Sequence, residues 1–127
     1  HLMSKLPYKV DGVDFTDFVH KYGYAVRYER VHGENDFVYL NGNEEEDVLQ
    51  IKPIVTVTIN DTPFDELQTF LTAVLKTTVR LTYYDPAYGE ITRTALPTVE
   101  QVDLLLEDNG THWYKGFTVT MRVNLNE

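Results

Sequence analysis

The sequence predicts an α+β fold, a mostly antiparallel β-sheet or sandwich with one amphipathic helix, about residues 62–76, packed on it. Three observations carry this. Ile51, Val55, Val57 and Ile59 alternate with Lys52, Thr56 and Thr58, the period-two pattern of a strand with one dry face. Phe64, Leu67, Phe70, Leu71, Val74 and Leu75 recur at helical spacing and make one apolar stripe, opposite Asp65, Glu66, Gln68, Thr69 and Thr72. Two β-rich runs, Val79 to Tyr84 and Glu90 to Leu96, flank the turn residues Asp85-Pro86-Ala87-Tyr88-Gly89 and read as a hairpin.

The remaining elements follow in chain order. Val10-Asp11-Gly12-Val13 reads as a β-turn between extended pieces, with Gly12 at positive φ. Asp14 to Phe18 fits either a short strand or a single helical turn. From Tyr24 to Val31, Tyr24, Val26 and Tyr28 share one face and Arg27 and Glu29 the other, which is a strand exposed on one side.

His32 to Asp47 is polar, with an apolar tip at Phe37, Val38, Tyr39 and Leu40 and an acidic run at Glu44, Glu45, Glu46 and Asp47. It is either a strand ending at an Asn41-Gly42 turn or a mobile loop or arm at 32–47 whose tip meets a partner. Charge and glycine on both sides of the tip favour the arm. Val48 to Ile59 is the long strand, and Pro53 within it argues for an edge position or a bulge, since proline lacks a donor. Thr62 is expected to cap the helix, with Pro63 at its first position and Asp65 completing a capping box. A third strand over about Val99 to Leu106 leads to a hairpin loop at Glu107 to Thr111. A final long strand then runs from Trp113 to Leu125, with Phe117, Val119, Met121 and Val123 on its apolar face.

Composition bounds the function. The 127 residues suffice for one domain with one core, expected over 4–127, and His1-Leu2-Met3 reads as a cloning remnant. No secretory signal is expected, and the longest apolar run, Val102 to Leu106, is interrupted by Asp103 and far below membrane-spanning length. There is no cysteine, which removes disulfides and thiolate metal sites. The net charge of −9 repels a phosphate backbone, and the eleven basic residues are scattered, so neither sequence-specific nucleic acid nor an anionic membrane is an expected partner.

Catalytic chemistry finds no foothold either. His20, His32 and His112 are far apart and none is at metal-ligand spacing. The acidic run at 44–47 lacks the alternation of ligands found in calcium loops, and Asp108-Asn109-Gly110 is the ordinary vocabulary of a hairpin. Ser4 is the sole serine, no glycine-rich phosphate loop exists, and no spacing singles out a carboxylate pair. The expectation is a protein that is not an enzyme and holds no cofactor. Tyr84, Tyr88 and Trp113 are candidate surface aromatics. The competing assignment is cross-strand packing within the sheet.

Several motifs together resemble a family. Val10-Asp11-Gly12-Val13-Asp14, Asn41-Gly42, Asp47-Val48-Leu49 with Lys52, and Val55-Thr56-Val57-Thr58 stand in order. They are followed by Asp65-Glu66-Leu67, then Val79 to Pro86, and a Trp113-Tyr114 pair leading into a last strand. This pattern is similar to short structural proteins, of the tail or neck, of tailed phages and prophages of Gram-positive bacteria. The motifs are structural, and none is catalytic. The resemblance implies a virion structural protein, assembled in the host cytoplasm, whose partners are other virion proteins and copies of itself. Proteins of this kind form closed rings, in which Phe37, Val38, Tyr39 and Leu40 would form an arm reaching a neighbour, and an acidic lumen would let DNA pass without sticking. A second expectation of a different class is a monomeric binding module, for carbohydrate or a host surface, that uses Tyr84, Tyr88 and Trp113.

Overall fold

In the computed structural model, residues 6–31 and 50–125 are described. The strands are β1 (Tyr8–Val10), β2 (Val13–Asp14), β3 (Val19–Val31), β4 (Gln50–Ile59), β5 (Thr62–Pro63), β6 (Val79–Asp85), β7 (Gly89–Val99), β8 (Leu104–Asp108), β9 (Thr111–Tyr114) and β10 (Thr118–Val123). One helix, α1 (Phe64–Val74), lies between β5 and β6, and a 3₁₀ turn occupies Thr16–Phe18. The strands form a seven-stranded sheet ordered β2-β1-β6-β7-β10-β4-β3 and a three-stranded sheet ordered β5-β9-β8, antiparallel throughout. The fold is therefore α+β, mostly antiparallel sheet with one helix packed on it.

Local chemistry accounts for most of these elements. Asp11 and Gly12 both adopt positive φ, the geometry of a two-residue hairpin turn whose twist matches that of the strands it joins. Asp14 Oδ1 accepts the Thr16 amide at 2.8 Å, which bends the chain into the 3₁₀ turn instead of extending it as a strand. That turn delivers Phe15 and Phe18 to the helix, where both rings pack on Phe70 at centroid distances of 5.1 and 5.7 Å.

Leu67, Phe70 and Val74 of α1 are buried in one core with Val10 of β1, Val57 of β4, Leu81 of β6, and Val119, Met121 and Val123 of β10. In β6 the alternation is complete, with Val79, Leu81, Tyr83 and Asp85 buried and the residues between them facing outward. The large sheet also curls. Tyr24 of β3 donates its hydroxyl to the Pro7 carbonyl and accepts the Tyr84 amide, each at 2.8 Å. One edge strand is thereby laced to the opposite side of the same sheet.

Three expectations change, and one holds in part of a strand only. The helix is shorter than 62–76, and no side chain caps it. Thr62 and Pro63 instead pair with Tyr114 and Trp113 as β5, and the Thr62 hydroxyl donates to the Asn60 carbonyl at 2.6 Å. Ladder pairing competes with capping for the same residues, and here the ladder wins. Pro53 holds the edge position expected of it, although β4 as a whole lies between β3 and β10. Pairing with β10 stops at Ile54, so at Pro53 only β3 flanks the chain and the missing donor is tolerated.

The expected strand at Val99–Leu106 is interrupted, since β7 ends at Val99 and β8 starts at Leu104. The expected final strand at Trp113–Leu125 is broken at Lys115-Gly116-Phe117, where the chain passes from the small sheet to the large one. A Cβ at Gly116 would stand 2.3 Å from the Ile59 carbonyl oxygen, so the crossing requires glycine. The segment 32–47, with Phe37, Val38, Tyr39, Leu40 and the acidic run, lies outside the described residues.

Candidate functional site

Apolar surface that the core does not absorb gathers on one side of the molecule. The helix stripe is wider than the face the sheet covers, so Phe64 and Leu75 remain 45% and 65% exposed while Leu67 and Phe70 are buried. Together with Leu71, Val102 and Tyr114, Phe64 and Leu75 line an open, mostly apolar groove of about 280 Å³ between α1 and the small sheet. Tyr114 of β9 pairs with Leu104 of β8, so the groove adjoins the last strand of that sheet.

All five residues of β8 are exposed, and Leu104, Leu105 and Leu106 stand open to solvent in succession. A bulge at Leu105 interrupts the register with β9 between Leu104 and Leu106. The tight turn at Asn109 and Gly110, both at positive φ, joins β8 to β9. Soluble surfaces carry scattered apolar residues freely, but a contiguous apolar patch on an open strand edge marks a place where something binds.

The electrostatics of this side are mainly negative, with Lys115 at its border, where the Lys115 amide donates to the Asp103 carbonyl at 2.8 Å. Residues 60–75 and 94–114 contain seven acidic side chains, among them Asp65, Glu66, Asp103, Glu107 and Asp108, and no Lys or Arg. Lys76, just past the helix, is engaged with Asp11 at 2.9 Å. The surface is therefore apolar in the middle and acidic around.

The anticipated aromatics are distributed differently from a single site. Tyr84 and Tyr88, 43% and 56% exposed, belong to the β6–β7 hairpin. Trp113 is half-buried in β9 opposite Pro63. The hairpin turn lies at the end of the large sheet where Tyr28 reaches Asp85, whereas β5 continues from the other end of β4. Tyr84 and Tyr88 are thus grouped, and Trp113 stands apart from them.

Beneath the hairpin, the buried Asp85 carboxylate accepts hydrogen bonds from the hydroxyls of Tyr28 and Tyr83, each at 2.6 Å, and from the Ala87 amide at 2.7 Å. Burial pushes the Asp85 pKa up, but these donors outweigh it and hold the carboxyl below its ordinary value. Both carboxylate oxygens accept from within the chain, so the cluster locks the turn. His20 and His112 are both exposed, and among the described residues no three His, Asp or Glu side chains gather as a metal site. Also among the described residues, no helix is long and apolar enough to cross a membrane.

Sequence reasoning placed Leu104 to Leu106 inside a strand and counted Phe64 and Leu75 with the core. Two signals pointed outward. Three leucines in succession cannot all face one side of a period-two strand, and an apolar stripe at 64, 67, 70, 71, 74 and 75 exceeds what one sheet face covers. No protein-family model matches the chain, and no curated protein or solved structure matches it significantly.

Proposed function

We propose that this protein is a structural component of a phage or prophage virion, of the tail or neck, that acts by assembling with copies of itself and with other virion proteins. The observation that carries the reading is the unpartnered apolar surface running from the α1 groove to the edge strand β8. A surface of this kind suits a subunit that becomes fully buried only in an assembly. The order of motifs along the chain supports the virion assignment, and the filled hydrogen-bond sites around Asp85 favour a scaffolding role over a catalytic one.

The test is the mass in solution, by light scattering on a sizing column over a wide concentration range, followed by electron microscopy of any oligomer. A discrete oligomer, or a mass that rises with concentration, alone or with the other virion proteins, is the expected result. A strict monomer, alone and in the presence of the other proteins of a virion encoded beside it, sinks the reading.

A further inference from the structure

We infer that the open edge of β8, with the adjoining α1 groove, is a strand-addition site for an extended segment of a partner protein whose apolar residues are flanked by Lys or Arg. The inference rests on the assembly reading for the choice of a protein as occupant, and on four observations for the rest. First, among the described residues β8 pairs with β9 alone, which leaves its outer row of backbone groups for a further strand. Second, Leu104, Leu105 and Leu106 are each about half exposed, and the chain from Thr98 to Tyr114 has none of the Lys or Pro residues by which edges are commonly blunted.

Third, the groove beside β8 is apolar and, at about 280 Å³, has room for one or two large side chains of the incoming segment. Phe64, Leu75, Val102 and Tyr114 would close around them. Fourth, charge selects the occupant. Residues 60–75 and 94–114 contain seven carboxylates and no Lys or Arg, and with Lys115 at the border this side stays net negative, so a second copy presenting the same face meets like charge. The bulge at Leu105 also turns the edge away from long, uniform pairing with an identical edge. A short basic segment meets neither obstacle, and its cations would face Glu107 and Asp108 at the hairpin.

The experiment uses the full chain and eight-residue peptides in which Ile or Val alternates with Lys or Arg, against peptides of the same apolar residues alternating with Glu. Binding is followed by calorimetry at low and high salt, and hydrogen exchange reports the β8 amides. The expected result is that the basic peptides bind at least tenfold tighter than the acidic ones and slow exchange at 104–108. The advantage should shrink in salt and fall tenfold or more in Glu107→Lys/Asp108→Lys, two exposed positions whose change leaves the fold intact by thermal melt. Leu104→Ser/Leu106→Ser provides the apolar counterpart.

Equal binding of the two peptide sets, or binding without protection at 104–108, overturns the inference. So does a peptide-free oligomer that itself protects 104–108 and is dispersed by Leu104→Ser/Leu106→Ser, because a second copy then occupies the edge. Failure of the assembly reading looks different: there the chain stays monomeric with its virion partners while the basic peptides still bind and protect β8.

Discussion

The Tyr28 hydroxyl donates a 2.6 Å hydrogen bond to Asp85 Oδ1, joining β3, at one edge of the large sheet, to the end of β6, which stands four places away in the same sheet. Such a bond exists only because the sheet curls, and it completes the coordination of a carboxylate that is otherwise fully buried. With the Tyr24 hydroxyl bonded to Pro7 and Tyr84, it closes by side chains a half-barrel that backbone pairing leaves open.

Removing this bond should loosen the closure. Tyr28→Phe is expected to lower stability by about 1–3 kcal/mol, the range for a hydrogen bond to a charged group. Asp85→Ala, which leaves two tyrosine hydroxyls without their acceptor, should lower it by more. Urea unfolding of the three proteins checks the order, and a Tyr28→Phe protein as stable as the parent would show that the Tyr24 contacts alone hold the edge.

The same cluster sets a pH window from both sides. Burial first, then the Asp85 carboxylate, push the Tyr28 hydroxyl up to about 12 from an ordinary value near 10. A folded-state pKa raised above the unfolded one contributes stability below pH 10, and that contribution is lost as pH rises toward 12. Asp85 is held below its ordinary value, so its contribution is present above about pH 4 and is lost as pH falls through the lowered folded value. Thermal melts from pH 2 to 12 should show a plateau between these limits, with the alkaline fall reduced in Tyr28→Phe. An unchanged alkaline limb in that variant counts against the assignment.

Gly116 is expected to tolerate no side chain. Its Cβ position lies 2.3 Å from the Ile59 carbonyl oxygen, and its amide donates to Asp61 Oδ1 at 2.7 Å. Gly116→Ala must push the chain off this crossing and should lower stability by about 3 kcal/mol, the upper part of the range for overpacking. Chemical denaturation measures it, and a loss under about 1 kcal/mol would mean that the backbone there yields.

Tyr8 offers a change in the opposite direction. Its side chain is fully buried against Phe70, and its hydroxyl has no hydrogen-bond partner among the described residues. A buried, unsatisfied hydroxyl is unfavourable by about 1–3 kcal/mol. Tyr8→Phe should therefore be at least as stable as the parent protein. A clear loss of stability in urea would reveal a partner for that hydroxyl.

Surface and core leucines should separate cleanly. Leu104→Ser/Leu106→Ser alters residues that are about half exposed and should shift stability by under about 1 kcal/mol while weakening the binding of basic peptides. Leu81→Ala, at a fully buried position, should lower stability by about 2–5 kcal/mol. Parallel melts and peptide calorimetry of the two variants check both halves, and equal thermal losses would place the leucines of β8 in a core.

By itself the sequence determined what local periodicity and turn chemistry can encode. The alternation through Val55, Val57 and Ile59, the helical stripe through Leu67, Phe70 and Val74, and the β6–β7 hairpin all stand where their patterns put them. The turns at Asp11-Gly12 and Asn109-Gly110 do so as well, because positive φ is a property of the residues in the turn. Only the tertiary structure decided that Thr62 and Pro63 pair with β9 instead of capping a helix, since a cap and a ladder compete for the same backbone and a distant strand settles the contest. It also broke Trp113–Leu125 into two strands, where Gly116 passes the Ile59 carbonyl at a distance no local pattern reports. The candidate site shows the same division: periodicity tells which residues share a face, whereas which faces find cover depends on how far the sheets extend. Leu104 to Leu106, Phe64 and Leu75 are apolar by sequence and exposed by architecture, because the small sheet ends at β8 with nothing on its far side among the described residues.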